Sequence, residues 1–205
     1  MRHKIPCFCD NTFTVDVPEE INLDEQPQYV EDILSGIFMN FTCTSCGKKH
    51  KPEFPLTVHW PSKRVSLEVI PELERGSFYR RKEEEDAVKE TVIGYPELAE
   101  RVAALKSDLV PEALEAIKYY LLVKADETYP EEDISVWFQN KSGDSLEFHI
   151  HGIKQDEVAV MKVPAALYEK TLTDFKKNPK TDPFGSLRVK TYLSIQNILR
   201  PDELK

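Results

Sequence analysis

Glycine is scarce in this chain: the 205 residues hold only seven, at positions 36, 47, 76, 94, 143, 152 and 185. No two of them stand close enough to build a phosphate-cradling loop, which excludes Walker A and dinucleotide-binding fingerprints. There is no G-x-S-x-G elbow, no H-E-x-x-H motif and no EF-hand loop. Long apolar runs are missing too. The longest uncharged stretch, Ile33 to Gly47, is 15 residues and includes Ser, Asn and Thr, short of the ~20 apolar residues that span a bilayer. The start, Met1-Arg2-His3-Lys4-Ile5-Pro6-Cys7, is basic but lacks the apolar core of a secretory signal. The expectation is a cytoplasmic protein with no membrane partner.

Positive charge is also short, with 27 Lys and Arg against 36 Asp and Glu for a formal charge of −9. That field repels nucleic acid and anionic lipid, so no nucleic-acid partner is expected. Residues 16–35 carry seven acids and no Lys or Arg, which marks a polarised N-terminal half, whereas between Lys170 and Lys190 six basic residues face two acidic ones and read as a solvated helix end and loop. With 40% hydrophobic and 31% charged residues the composition is that of a folded globular chain.

Only four cysteines occur, and they are paired: Cys7-Phe8-Cys9 and Cys43-Thr44-Ser45-Cys46. In a reducing compartment such pairs are better read as thiolate ligands than as disulfides. A Cys-x-x-Cys turn closed by Gly47 is the usual zinc knuckle, because glycine accepts the positive φ that turns backbone N–H groups back toward the sulfurs. Cys-x-Cys puts both side chains on one face of an extended segment, and tetrahedral Zn–S bonds of ~2.3 Å need sulfurs about 3.8 Å apart. Asp10-Asn11 tolerate the left-handed region and can stand in for glycine after Cys9. The expectation is one structural Zn²⁺ per chain on Cys7, Cys9, Cys43 and Cys46. Lys48, Lys49 and Lys51 follow the second pair, where a tetrathiolate's charge would favour cations.

Periodicity predicts a strand over Thr12–Val17 and a helix from Pro27 with Tyr29, Val30, Ile33 and Leu34 on one side and Gly36 closing it. It predicts further strands over Ile37–Thr42, Glu53–Trp60 and Lys63–Ile70, so that the metal pins two β-hairpins. Pro71 to Asp86 reads as a frayed helix or connecting arm. Helices over Pro96–Ser107 (Leu98, Val102, Leu105) and Pro111–Ala125 (Leu114, Ile117, Leu121) read as a helical hairpin. Strands over Ile134–Phe138, Leu146–His151 and Val158–Val163, a helix from Pro164 to Phe175 and a strand within Leu187–Leu193 complete the reading. The fold class is α+β: zinc-ribbon-like hairpins with a helical insertion (1–72), a helical segment (73–130) and a small antiparallel β-rich part (131–205).

These residues carry a resemblance. Cys7 and Cys9, Glu20-Ile21-Asn22, Ile33-Leu34-Ser35-Gly36-Ile37-Phe38, Cys43-Thr44-Ser45-Cys46-Gly47 and Phe54-Pro55-Leu56 look like the CpXC family of uncharacterised bacterial and archaeal proteins. Tyr95–Arg101 and Leu109–Lys118 resemble that family's helical segment. Neither cysteine pair encloses a proline, and Pro6 instead precedes the first. The resemblance implies a zinc-ribbon-like module with an appended helical part and no established activity.

His149 and His151, at i and i+2, could face one side of a strand as metal ligands or as ordinary strand-end histidines. His50 and His59 lie near the second knuckle in sequence and could donate to a sulfur or replace a ligand. Trp60 and Trp137 read as core. Asp126-Glu127 and Glu131-Glu132 sit in a polar stretch that gives no reason for general acid–base chemistry. A closed four-cysteine shell leaves no position for substrate, so the expected role is a non-catalytic module that contacts another protein. A redox-responsive protein is the alternative, since the C-x-C and C-x-x-C spacing resembles the zinc switch of a redox-regulated heat-shock chaperone. An enzyme with a site in the C-terminal half is the third.

Overall fold

The computed structural model describes residues 1–82, 89–130 and 132–199. Helices and strands interleave along the chain and form an α+β architecture. It comprises two compact units, Met1–Ala99 and Glu100–Lys205.

In the first unit, β1 (Arg2–Pro6) and β2 (Thr12–Asp16) pair antiparallel, with Ile5 opposite Phe13 and His3 opposite Val15. Their alternation buries Ile5, Phe13 and Val15 on one face. After β3 (Glu20–Asn22), α1 (Gln28–Leu34) starts on Pro27 and buries Val30 and Ile33. β4 (Phe41–Thr42) and β5 (Lys49–His50) form a second antiparallel hairpin. β6 (Leu56–Trp60) and β7 (Val65–Ile70) form a third, turned through Pro61–Lys63 with Arg64 left-handed at φ 56. A single helical turn, Glu72–Glu74, leads into α2 (Arg75–Arg80), and β8 (Glu90–Ile93) follows. Four strands of one sheet then run β8-β7-β6-β3, with parallel pairing at both ends of that series and antiparallel pairing in its middle.

One expectation is revised here, and one that left a frayed helix or a connecting arm open is decided toward the helix. The strand expected over Ile37–Thr42 shrinks to Phe41–Thr42, because the N–H groups of Ile37 and Phe38 both donate to Asp32 O and hold the chain against the end of α1. Met39 then turns at φ 52. The arm expected over Pro71–Asp86 is helical as far as Arg80, anchored by the buried Arg75, whose guanidinium donates to Glu72 at 2.6 and 2.7 Å and to Glu97 at 3.0 Å. Residues 83–86 of that arm lie outside the described residues. The strands β3, β5 and β8 lie where none is expected from the sequence.

In the second unit α3 (Tyr95–Lys106), whose first turn belongs to the first unit, leads through Asp108 at φ 54 to α4 (Pro111–Thr128), with Pro111 in its first turn. Three antiparallel strands follow in the order β11-β10-β9: β9 (Ser135–Ser142), β10 (Ser145–His151) and β11 (Ala159–Pro164). β9 and β10 are joined by the two-residue turn Gly143-Asp144, and their inward positions bury Val136, Phe138, Leu146, Phe148 and Ile150. α5 (Ala165–Lys177) comes next. The expected strand in Leu187–Leu193 is a tight pair, β12 (Arg188–Val189) with β13 (Tyr192–Leu193), because Lys190 turns at φ 53. α6 (Gln196–Leu199) ends the described chain.

The buried stripe of α4 differs from the predicted one: Leu121 is half-buried, and Leu122, Glu115 and Lys118 lie inside. Lys118 Nζ donates to Glu100 Oε2 at 2.6 Å and to Glu115 Oε1 at 2.9 Å. The outer oxygens of these carboxylates accept the Phe138 N–H at 2.6 Å and the Ile195 N–H at 2.7 Å. This ionic cluster thus ties α3, α4, β9 and the segment before α6 together, with each charged group satisfied inside the protein. No helix among the described residues is long and apolar enough to cross a membrane.

Candidate metal centre

The cysteines sit on two turns with the same plan, at the ends of the hairpins β1–β2 and β4–β5. In the first, the Cys7 N–H donates to Asn11 O at 2.9 Å and the Asp10 N–H to Cys7 O at 3.1 Å; in the second, the Cys43 N–H donates to Lys48 O at 2.9 Å and the Gly47 N–H to Cys43 O at 3.0 Å. The residue after the second cysteine is left-handed in both, Asp10 at φ 62 and Gly47 at φ 73. A shorter turn with aspartate at that position therefore reproduces what Cys-x-x-Cys-Gly does, as Asp accepts the left-handed region where most side chains would be strained.

The two turns face each other. Cys7 Sγ lies 3.6 Å from Cys46 Sγ, and Cys9 Sγ lies 3.8 Å from Cys43 Sγ. All four sulfurs fall within 4.8 Å of one another, close to the ~3.8 Å edges that a tetrahedral thiolate shell requires. Four soft donors converging on one point could hold a metal ion, and the donor chemistry and spacing fit Zn²⁺.

The site is asymmetric. Cys7 and Cys43 are buried among Ile5, Phe13, Val15 and Val17, with Met39, Phe41 and Phe54 packed around them, whereas Cys9 and Cys46 are exposed. His50 Nε2 lies 3.1 Å from Cys7 Sγ, and Asn11 Nδ2 donates to Cys43 Sγ at 3.6 Å. In the metal-free chain the two buried thiols diverge. The Cys46 N–H, helped by those of Ser45 and by the Asn11 amide, outweighs burial and brings the Cys43 thiol down to about 6. The Cys9 N–H acts the same way on Cys7, but burial and the sulfurs of Cys46, Cys9 and Cys43 prevail and push its thiol up to about 12. Of the two buried thiols, that of Cys43 is thus the more readily ionised and that of Cys7 the less.

Of the neighbouring histidines, His50 stands against a sulfur. His59 does not; it pairs with Ser66 at 3.2 Å and with Glu20 at 3.7 Å on β6. His149 lies 3.4 Å from Glu147, and its ring centre is 6.5 Å from that of His151. Among the described residues the four cysteines form the one cluster of three or more potential ligands, so no third ligand joins that pair. Lys48 sits with Nζ 5.1 Å from the Phe8 ring centre, and Lys51 Nζ donates to Gly36 O at 3.2 Å. Trp60 is buried, Trp137 half-buried. Asp126 and Glu127 lie at the exposed end of α4; Glu131 lies outside the described residues. The Asn11 amide was the contact that sequence reasoning missed, since Asn11 stood out there only for its backbone.

An α+β protein with two facing cysteine turns is the class these features define. Residues 5–118 match the CpXC protein family, and the chain belongs to that family. It is also 32% identical over 215 residues to an uncharacterized protein of Treponema pallidum (strain Nichols), covering 95% of this chain and 97% of that one. No solved structure matches.

Proposed function

We propose that Cys7, Cys9, Cys43 and Cys46 hold one structural Zn²⁺ in a zinc-ribbon-like module spanning about residues 1–72, and that the protein is a non-catalytic module that contacts another protein. The convergence of four sulfurs within 4.8 Å carries the metal reading. Four protein ligands close a tetrahedral zinc and leave no coordination position for substrate, which is why the role is structural. The hairpins β1–β2 and β4–β5 that carry the cysteines are separate two-stranded sheets. β1, β2, β4 and β5 are short, and a zinc site of this type supplies on the order of 10 kcal/mol of folding free energy.

The contact reading is supported by Phe8, which stands between two of the ligands and is 88% exposed. A large aromatic held out at a rigid turn is costly in water and suited to a protein surface. The net charge of −9 argues against nucleic acid as that partner, and four cysteines free of disulfides suit a reducing cytoplasm.

Elemental analysis of the chain purified without chelator tests the metal reading. About one zinc per chain is expected, and well under one, or iron in its place, refutes it. Chelation followed by amide hydrogen exchange should remove protection over 1–72 first; unchanged exchange there would show that the ion is not structural. Partners captured by the native chain should be lost with Cys43→Ser and with Phe8→Ser, and partners indifferent to both would count against contact through this module.

A further inference from the structure

The two exposed sulfurs differ from the buried two in accessibility and in the side-chain nitrogens that meet them. Cys7 and Cys43 are 7% and 2% exposed and each meets a side-chain nitrogen, His50 or Asn11. A hydrogen bond to a thiolate disperses its charge and lowers its nucleophilicity. Cys9 and Cys46 are exposed, and among the described residues no side-chain N–H donor is seen at either sulfur. Both line one surface cavity of about 330 Å³ together with Phe8, Gly47 and Lys48. The cavity therefore offers two accessible sulfurs beside a cation. The cross-turn neighbours lie closest: Cys7 beside Cys46 at 3.6 Å, Cys43 beside Cys9 at 3.8 Å.

We propose that this cavity is an oxidative modification site, at which hydrogen peroxide attacks Cys9 or Cys46 and the buried partner across the turn, Cys43 or Cys7, closes the disulfide. The thiolate of Cys46 forms an S–O bond as the peroxide O–O bond breaks, and the departing hydroxide takes a proton to become water. The Cys7 thiol then attacks the Cys46 sulfur and gives up its proton; an S–S bond forms, the S–O bond breaks and the departing hydroxide takes that proton to leave as water. Two sulfurs lose two electrons and one peroxide gains them. Cys9 and Cys43 follow the same course. Either disulfide withdraws two of the four ligands and releases the ion, so the site senses an oxidant by losing its metal; this last step rests on the zinc reading above.

The test uses the full chain as purified, its metal content measured first. It is treated with less than one equivalent of peroxide, with and without dimedone to trap sulfenic acid. Residues 5–47 contain no Lys or Arg, so chymotryptic cleavage after Phe8 separates Cys7 from Cys9, and peptide fragmentation separates Cys43 from Cys46. Dimedone should label Cys9 and Cys46 about tenfold more than Cys7 and Cys43. Without dimedone, Cys7–Cys46 and Cys9–Cys43 disulfides should form, with one ion released per chain oxidised. Equal labelling of all four, first labelling at Cys7 or Cys43, or disulfides confined within each turn would overturn the proposal. A chain that carries no ion at the start refutes the zinc reading instead, while its labelling order still decides this one.

Discussion

Lys118→Met removes the ammonium at the centre of the buried cluster in the second unit and keeps an unbranched side chain in its place. In the native protein that ammonium lies 2.6 Å from Glu100 and 2.9 Å from Glu115, with the three side chains 4%, 9% and 8% exposed. Burial alone would lower the pKa of Lys118; the two carboxylates outweigh it and raise it. Removing one partner of a buried pair costs about 3–5 kcal/mol, because the remaining charge loses its counter-ion without regaining water. Near pH 7.5 the variant should show that loss in full, as a lower urea midpoint at an unchanged slope.

The pH dependence identifies the cause. Burial pushes the Glu100 carboxyl up to about 7, against the pull of the Lys118 ammonium. A carboxyl with a raised folded pKa binds more protons when folded. Its contribution is therefore fully present below about 4.5 and is lost as the pH rises through about 7. Lowering the pH from about 7.5 to 5.5 should return about 2 kcal/mol to the native protein, at ~1.4 kcal/mol per unit. In the variant Glu100 loses the pull of the Lys118 ammonium, so burial raises its carboxyl further and the same step returns more than in the native protein. The deficit should therefore narrow as the pH falls. Trp137, whose ring centre is 5.5 Å from Lys118 Nζ, is a local fluorescence reporter. A deficit below about 1 kcal/mol near pH 7.5, or one independent of pH, would refute the reasoning.

Glu100→Gln keeps an oxygen to accept the Phe138 N–H but cannot titrate, so the fall in stability between about pH 4.5 and 7 should flatten; urea curves that still slope as in the native protein would place that titration elsewhere. Gly152→Ala should lower stability by about 3 kcal/mol or more, seen as a Tm fall of about 10 °C. Gly152 holds φ +93, and a Cβ there would stand 2.1 Å from the Asp133 carbonyl oxygen, so an unchanged Tm would show that the backbone can move aside.

What the sequence made legible was chemistry settled over a few residues. A left-handed residue after the second cysteine is required by each turn itself, so Gly47 announces one knuckle and Asp10 serves in the other. Alternation over Val65, Leu67 and Val69 likewise marks β7 without reference to its neighbours. β3 and β8 escaped for the opposite reason. At three and four residues they are too short to show a period, and their place comes from parallel pairing with β6 and β7, set by residues far away in the chain. In α4 the apolar period names Leu114, Ile117 and Leu121 and gives no inward place to Glu115 or Lys118. They are buried because Glu100 and two backbone N–H groups, supplied by other elements, complete their hydrogen bonds. The same limit applies at the cysteine cluster. Four candidate ligands could be named from spacing alone, but the division into two guarded and two open sulfurs depends on Asn11 meeting Cys43 and His50 meeting Cys7 across 32 and 43 positions of chain. The convergence of four sulfurs is thus a property of the two turns, whereas which of them are open to solvent is a property of how the hairpins face each other.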